Sequence, residues 1–148
     1  MSVLSYFAAD VSLPEVVNPH DIAGDRELVL DLDSGIIQDG DYDDDFSICD
    51  CSGTEDLFTE KAYCAELQWT YSEGRAEAVL AYIRGLLRHT DEVELWHICM
   101  GMGERPLIRS KTIPISQLRA EELGKLEERD LWEDFYGIPI QYRLVIQK

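Results

Sequence analysis

Cys49 and Cys51 sit two positions apart on one apolar stretch, and His97 and Cys99 do so on another. Residues at this spacing share a face of a strand. Two such stretches side by side would offer four nitrogen and sulfur ligands, the donor set of a structural zinc ion. The spacing is not that of a zinc knuckle, and cysteine is among the residue types most often buried without a metal, so core packing is the simpler expectation. His97 is also the natural candidate for a general base. It lies between apolar neighbours, with no serine or cysteine nucleophile and no orienting carboxylate identifiable along the chain, which favours a buried histidine over a catalytic one. No catalytic residue is therefore assigned. No cofactor is expected either: Gly101 and Gly103 lack the Gly-Lys-Ser/Thr that completes a phosphate loop, and a turn explains them. The four cysteines, Cys64 included, are expected as reduced thiols.

The aspartates offer harder ligands. Leu28-Val-Leu-Asp31-Leu-Asp33 is an apolar strand ending in Asp-x-Asp, and it resembles the nucleophile motif of the haloacid-dehalogenase phosphatases. The resemblance implies Asp31 as nucleophile, Asp33 as acid–base and a magnesium ion nearby. It covers only these residues. Alternation puts both aspartates on the polar face, and an acidic loop follows where that family has a helix, so solvent-facing side chains are expected. Asp39, Asp41 and Asp43, with Asp50 eleven positions after the first, resemble part of an EF-hand loop and imply a calcium site at those four residues. The pattern departs at its sixth position, Asp44 in place of glycine, and at its twelfth, where Asp50 replaces glutamate. A loose cation site is what survives of this reading.

Charge supplies the broader argument. The formal net charge is −17 over 148 residues, and residues 27 to 60 hold twelve acids with no lysine, arginine or histidine. Residues 100 to 148 carry eight acids and eight bases. Acidity thus belongs to one region, centred on Asp39, Asp41, Asp43, Asp44 and Asp45, where a purely solubilising role would spread it evenly. Like charges repel this chain from nucleic-acid backbones and anionic membrane surfaces. A basic protein surface is the expected partner, through those five aspartates, and a second copy of the chain is the other candidate. With no basic n-region before Asp10, the expected location is cytoplasmic. The leading reading is a non-enzymatic interaction or regulatory module. The alternatives are a domain binding a small molecule or a divalent cation, and a metal-dependent phosphatase using Asp31 and Asp33.

The elements that must position these residues follow from periodicity. Residues 1–9 read as a strand, 27–33 as a half-buried strand and 46–51 as a third, with residues 38–45 an exposed acidic loop between the last two. Residues 61–71 alternate, with Tyr63, Ala65, Leu67, Trp69 and Tyr71 on the apolar face. Ser72 caps a helix running to His89. Residues 93–100 form a strand apolar on both faces, joined by a tight turn to a strand at 107–115. Ser116 opens a second helix through about Arg129, with Leu118, Leu123 and Leu126 inward and Glu121 paired with Lys125. An aromatic connection of Trp132, Phe135 and Tyr136 leads to a last strand at 138–146.

From residue 61 the order is β-α-β-β-α-β. The fold class is α+β: a mostly antiparallel, ferredoxin-like unit over 61–148, with residues 1–60 as a strand-rich acidic extension of the same domain. In that order the strands at 61–71 and 138–146 are neighbours, which sets Glu66 and Gln68 beside Gln141 and Arg143 on a polar face turned away from the helices. The strand at 93–100 lies at an edge, too apolar to be bare, so the N-terminal strands or a second copy should cover it.

Overall fold

A computed structural model describes residues 3–17, 28–30, 37–39, 46–50, 59–99, 107–128 and 140–148. Its elements are β1 (Val3–Ala9), β2 (Leu28–Leu30), β3 (Ile37–Asp39), β4 (Ser47–Asp50), β5 (Tyr63–Gln68), α1 (Glu73–Leu86), β6 (Glu92–Cys99), β7 (Leu107–Pro114), α2 (Ala120–Glu127) and β8 (Ile140–Gln147). A 3-10 turn at Ile115–Gln117 precedes α2.

Six strands form one mixed sheet in the order β4-β5-β1-β6-β8-β7, and β2 and β3 form a separate antiparallel pair. Among the described neighbouring strands of the large sheet, only β7 and β8 are paired in parallel. Parallel neighbours cannot be joined by a tight turn, and α2 supplies the crossover between them. β5 and β6 are each antiparallel to β1, hence parallel to one another, with α1 as their crossover and β1 in the slot between. The main core lies between the helices and one face of the sheet. Phe7, Leu67, Leu95, Ile140, Leu144 and Ile146 meet Val79, Leu80 and Ile83 of α1 and Leu123 and Leu126 of α2 there.

Local expectations hold well. The Ser72 hydroxyl accepts from Arg75 N at 3.1 Å and starts α1. Leu118, Leu123 and Leu126 are buried. Ala65 and Leu67 face the core, while Tyr63, at the first position of the strand, and Tyr71, beyond its end at Gln68, are exposed. The second helix starts later than expected. Ser116 falls in the 3-10 turn, Arg119 occupies the cap position without a side-chain bond, and Lys125 lies 3.7 Å from Glu122 instead of pairing with Glu121.

The ferredoxin-like neighbours are not found. β5 and β8 are separated by β1 and β6, and β6 and β7 do not form a hairpin, because β8 lies between them. The cause is β1. Tyr6, Phe7, Ala8 and Ala9 are all buried, two on each side of the sheet, so the strand belongs in the interior and not at an edge. It takes the place beside β6, which is likewise buried on both faces, and β8 flanks β6 on its other side. β6 is thus a central strand, covered by the N-terminal strand and by β8 within a single chain.

Candidate functional site

Two polar clusters meet the sheet, one on each face. On the helix side, His97 of β6 lies opposite Ser5 of β1, and Glu127 at the end of α2 reaches both. The Ser5 hydroxyl donates to Glu127 Oε1 at 2.5 Å, and His97 Nδ1 lies 3.5 Å from Ser5 Oγ and 3.7 Å from Glu127 Oε1. These are the serine and carboxylate missing from the linear reading of His97, brought to it across 92 positions in the case of Ser5. Their order is wrong for nucleophilic catalysis, which needs the imidazole between hydroxyl and carboxylate. Here one ring nitrogen faces both partners, and the serine proton already goes to the carboxylate. Ser5 and His97 are 5% and 3% exposed, so no substrate carbonyl reaches the hydroxyl. The trio ties β1, β6 and α2 together.

His97 is held below the usual histidine range, first because burial disfavours the imidazolium; the nearby Glu127 carboxylate opposes that shift. The folded chain therefore binds this proton less readily than the unfolded chain does. Stability from this group is complete above pH ~6.5, where the unfolded histidine is also neutral, and it declines as the pH falls below that value, at up to about 1.4 kcal/mol per pH unit. Urea unfolding between pH 7.5 and 5.5 should show the loss, and His97→Gln should flatten it. Equal slopes in the two proteins would exclude His97 as the source.

On the opposite face, cross-strand partners build a row of Cys49, Glu66, Tyr6, Trp96, Arg143 and Ser110 across the sheet. Glu66 and Arg143 do share this face, as expected, but they are three strand spacings apart, about 14 Å. Nor is the face uniformly polar and wet. Tyr6, Ala8, Trp96 and Ile98 form a second buried apolar cluster at its centre. Gln141 is buried, Gln68 is exposed and accepts from the Ser47 hydroxyl at 3.2 Å, and Glu66 is half-buried. The carboxylate that meets Arg143 is Glu94, with Oε2 3.7 Å from Nη1. Glu94 Oε1 accepts from Trp96 Nε1 at 3.1 Å and from the Thr59 hydroxyl at 2.5 Å. The guanidinium stacks 5.4 Å from the centre of the Trp96 ring, and its Nε donates to Ser110 Oγ at 2.9 Å. The polar atoms of Glu94 and Arg143 thus satisfy one another and their neighbours, as a carboxylate buried at 5% exposure requires. The cluster was illegible beforehand because the register that aligns Trp96 with Arg143 is a property of the sheet.

The metal readings fare differently. Cys49 and His97 lie on β4 and β6, three strand spacings apart and on opposite faces, so the zinc set built from facing strands cannot assemble. Cys51 lies outside the described residues. Of the calcium set, Asp39 ends β3 and Asp50 is exposed at the end of β4, while Asp41 and Asp43 lie outside the described residues. So do Asp44 and Asp45 of the partner-binding set, Asp31 and Asp33, and Trp132, Phe135 and Tyr136. Among the described residues, no three His, Cys, Asp or Glu side chains converge as metal ligands, and no helix is long and apolar enough to cross a membrane.

No protein-family model, curated protein or solved structure matches the chain.

Proposed function

We propose that the chain is a non-catalytic interaction module that docks a basic surface of another protein through its acidic edge. The observation that carries this reading is the segregation of charge. The window of twelve acids without a base runs through β4, one edge of the large sheet, where Asp50 is exposed. Arg109 and Lys111 are exposed on β7, the opposite edge, five strand spacings or about 24 Å away. Screening at physiological ionic strength acts over about 8 Å, so the two edges behave as separate electrostatic surfaces. A one-signed patch of this kind accelerates encounter with a complementary partner and sets orientation.

The test uses two variants of equal net charge. One replaces Asp39, Asp41, Asp43, Asp44 and Asp45 by asparagine. The other neutralises Glu73, Glu77, Asp91, Glu121 and Glu128, all exposed on or beside the helices. Partners captured by cross-linking in cells are purified and their association rates measured against the parent chain and both variants. The expected partner is basic, and its on-rate falls about tenfold or more at high salt and with the first variant, but little with the second. Equal losses with both variants would reduce the effect to net charge and overturn the reading.

A further inference from the structure

The sheet edge opposite β4 carries a second surface of different character. All six residues from Leu107 to Thr112 are exposed, and Leu107 and Ile108 are large apolar side chains at 44% and 38% exposure. β7 pairs with β8 on one side and ends the sheet on the other, among the described strands. A strand so placed presents backbone N–H and C=O groups that an incoming strand can pair. Its register with β8 sorts its side chains. Arg109 lies opposite Tyr142 and Lys111 opposite Leu144, on the helix side, whereas Ile108 and Ser110 lie on the other face.

Beside this edge runs a groove of about 220 Å³ between β7 and α2. Arg109, Lys111, Lys125 and Arg143 line it with one acid among the described residues, Glu122, over a floor that includes Leu126 and Tyr142; Arg143 is already held by Glu94 and Ser110. Glu122 is shared, 3.4 Å from Lys111 Nζ and 3.7 Å from Lys125 Nζ. Lys111 and Lys125 thus share one carboxylate, so among the described lining residues positive charge is in excess, in a chain of net charge −17. Asp50, the exposed acid of β4 at the far edge, is too distant to cancel it.

We infer that β7 and the groove beside it take up an extended acidic segment of a partner protein as an added strand. Side chains two apart on that strand share a face, so acids at every second position meet Arg109 and Lys111. The side chains between them lie beside Ile108 and Ser110, where apolar residues fit. A second copy of β7 is a poor occupant. Antiparallel pairing about Ser110 would set Arg109 of one chain opposite Lys111 of the other, and like charges directly opposite are destabilising. This surface is independent of the acidic edge: neutralising the five aspartates leaves it intact.

The experiment follows a fluorescent, blocked peptide of glutamates alternating with valines onto the full chain by anisotropy. The expected result is saturable binding that weakens about tenfold or more in Arg109→Glu/Lys111→Glu and in Lys125→Glu, and that is restored in the double variant by a peptide of lysines alternating with valines. The two variants change exposed residues on different elements, and circular dichroism reports whether each keeps its fold. Two further peptides are N-methylated at alternate residues, one on the glutamates and one on the valines. Strand addition requires that one of them lose binding while the other keeps it, since only every second N–H of an added strand points at its neighbour. Equal binding of both would mean charge adsorption without strand addition and overturn the inference. So would a parent chain that dimerises through this edge, seen as sedimentation that becomes monomeric in the double charge variant.

Discussion

Deleting residues 1–9 should leave a chain that does not fold. β1 is hydrogen-bonded to β5 along one side and to β6 along the other, so its loss divides the large sheet into two pieces. It also strips Phe7 and Ala9 from the main core and Tyr6 and Ala8 from the cluster on the far face. Phe7 alone, fully buried, should cost about 3–5 kcal/mol on truncation to alanine. A whole domain is stable by only about 5–15 kcal/mol, so losing a central strand exceeds what the remainder can sustain. Two newly opened edges, one of them on the apolar β6, then favour aggregation. Circular dichroism and size-exclusion chromatography of the truncated chain would show an unfolded or aggregated species. Adding a synthetic peptide of residues 1–12 should recover folded monomer. A truncated chain that is soluble, monomeric and cooperatively folded would contradict the central placement of β1.

Glu94→Ala should be the most damaging polar substitution. It leaves the indole N–H of the fully buried Trp96 and the hydroxyl of Thr59 without their acceptor, and Arg143 without its carboxylate. Removing one member of a buried ion pair costs about 3–5 kcal/mol. The Arg143 side chain is a third exposed and partly solvated, which places this case near 3. Glu94→Gln keeps an acceptor for the indole and the hydroxyl and should lose less than half as much. A double-mutant cycle with Arg143→Ala separates the ion pair from the hydrogen bonds. Urea midpoints for the single and double variants measure all of these quantities. A loss within ~0.5 kcal/mol for Glu94→Ala, the range of ordinary surface substitutions, would show the cluster to be incidental.

Neither cluster was legible beforehand, although most of its members lie in segments whose secondary structure was. The alternation in residues 61–71 placed Ala65 and Leu67 in the core, and the alternation before Lys148 placed Ile140, Tyr142 and Leu144 there. The helical spacing after Ser72 placed Val79, Leu80 and Ile83. In each case the signal is local, because the periodicity of a helix or strand is written in neighbouring residues. Glu94 and Arg143 meet only because β6 and β8 are neighbours in one particular register, whereas a ferredoxin-like order would set Glu66 beside Arg143.

By itself, then, the chain's sequence determined most of the strands and helices, the inward side of residues 61–71, of the helix after Ser72 and of the last strand, and that acidity concentrates in residues 27–60 while bases recur later; it did not show β3, whose Gln38 and Asp39 fall in the expected loop. It also held an unused indication of strand order. In residues 4–9 and 93–98 both faces are mostly apolar, interrupted only by Ser5, Glu94 and His97, and strands of that kind belong in a sheet's interior. Only the tertiary structure decided that those two strands pair, that β8 flanks β6 and that β7 is left at the edge. Backbone ladders are chemically alike for any pair of strands, so the choice among partners rests on how completely both faces are buried once all the layers are assembled. That assembly put the bases of β7 and α2 around one groove, and it brought Ser5 and Glu127 to His97.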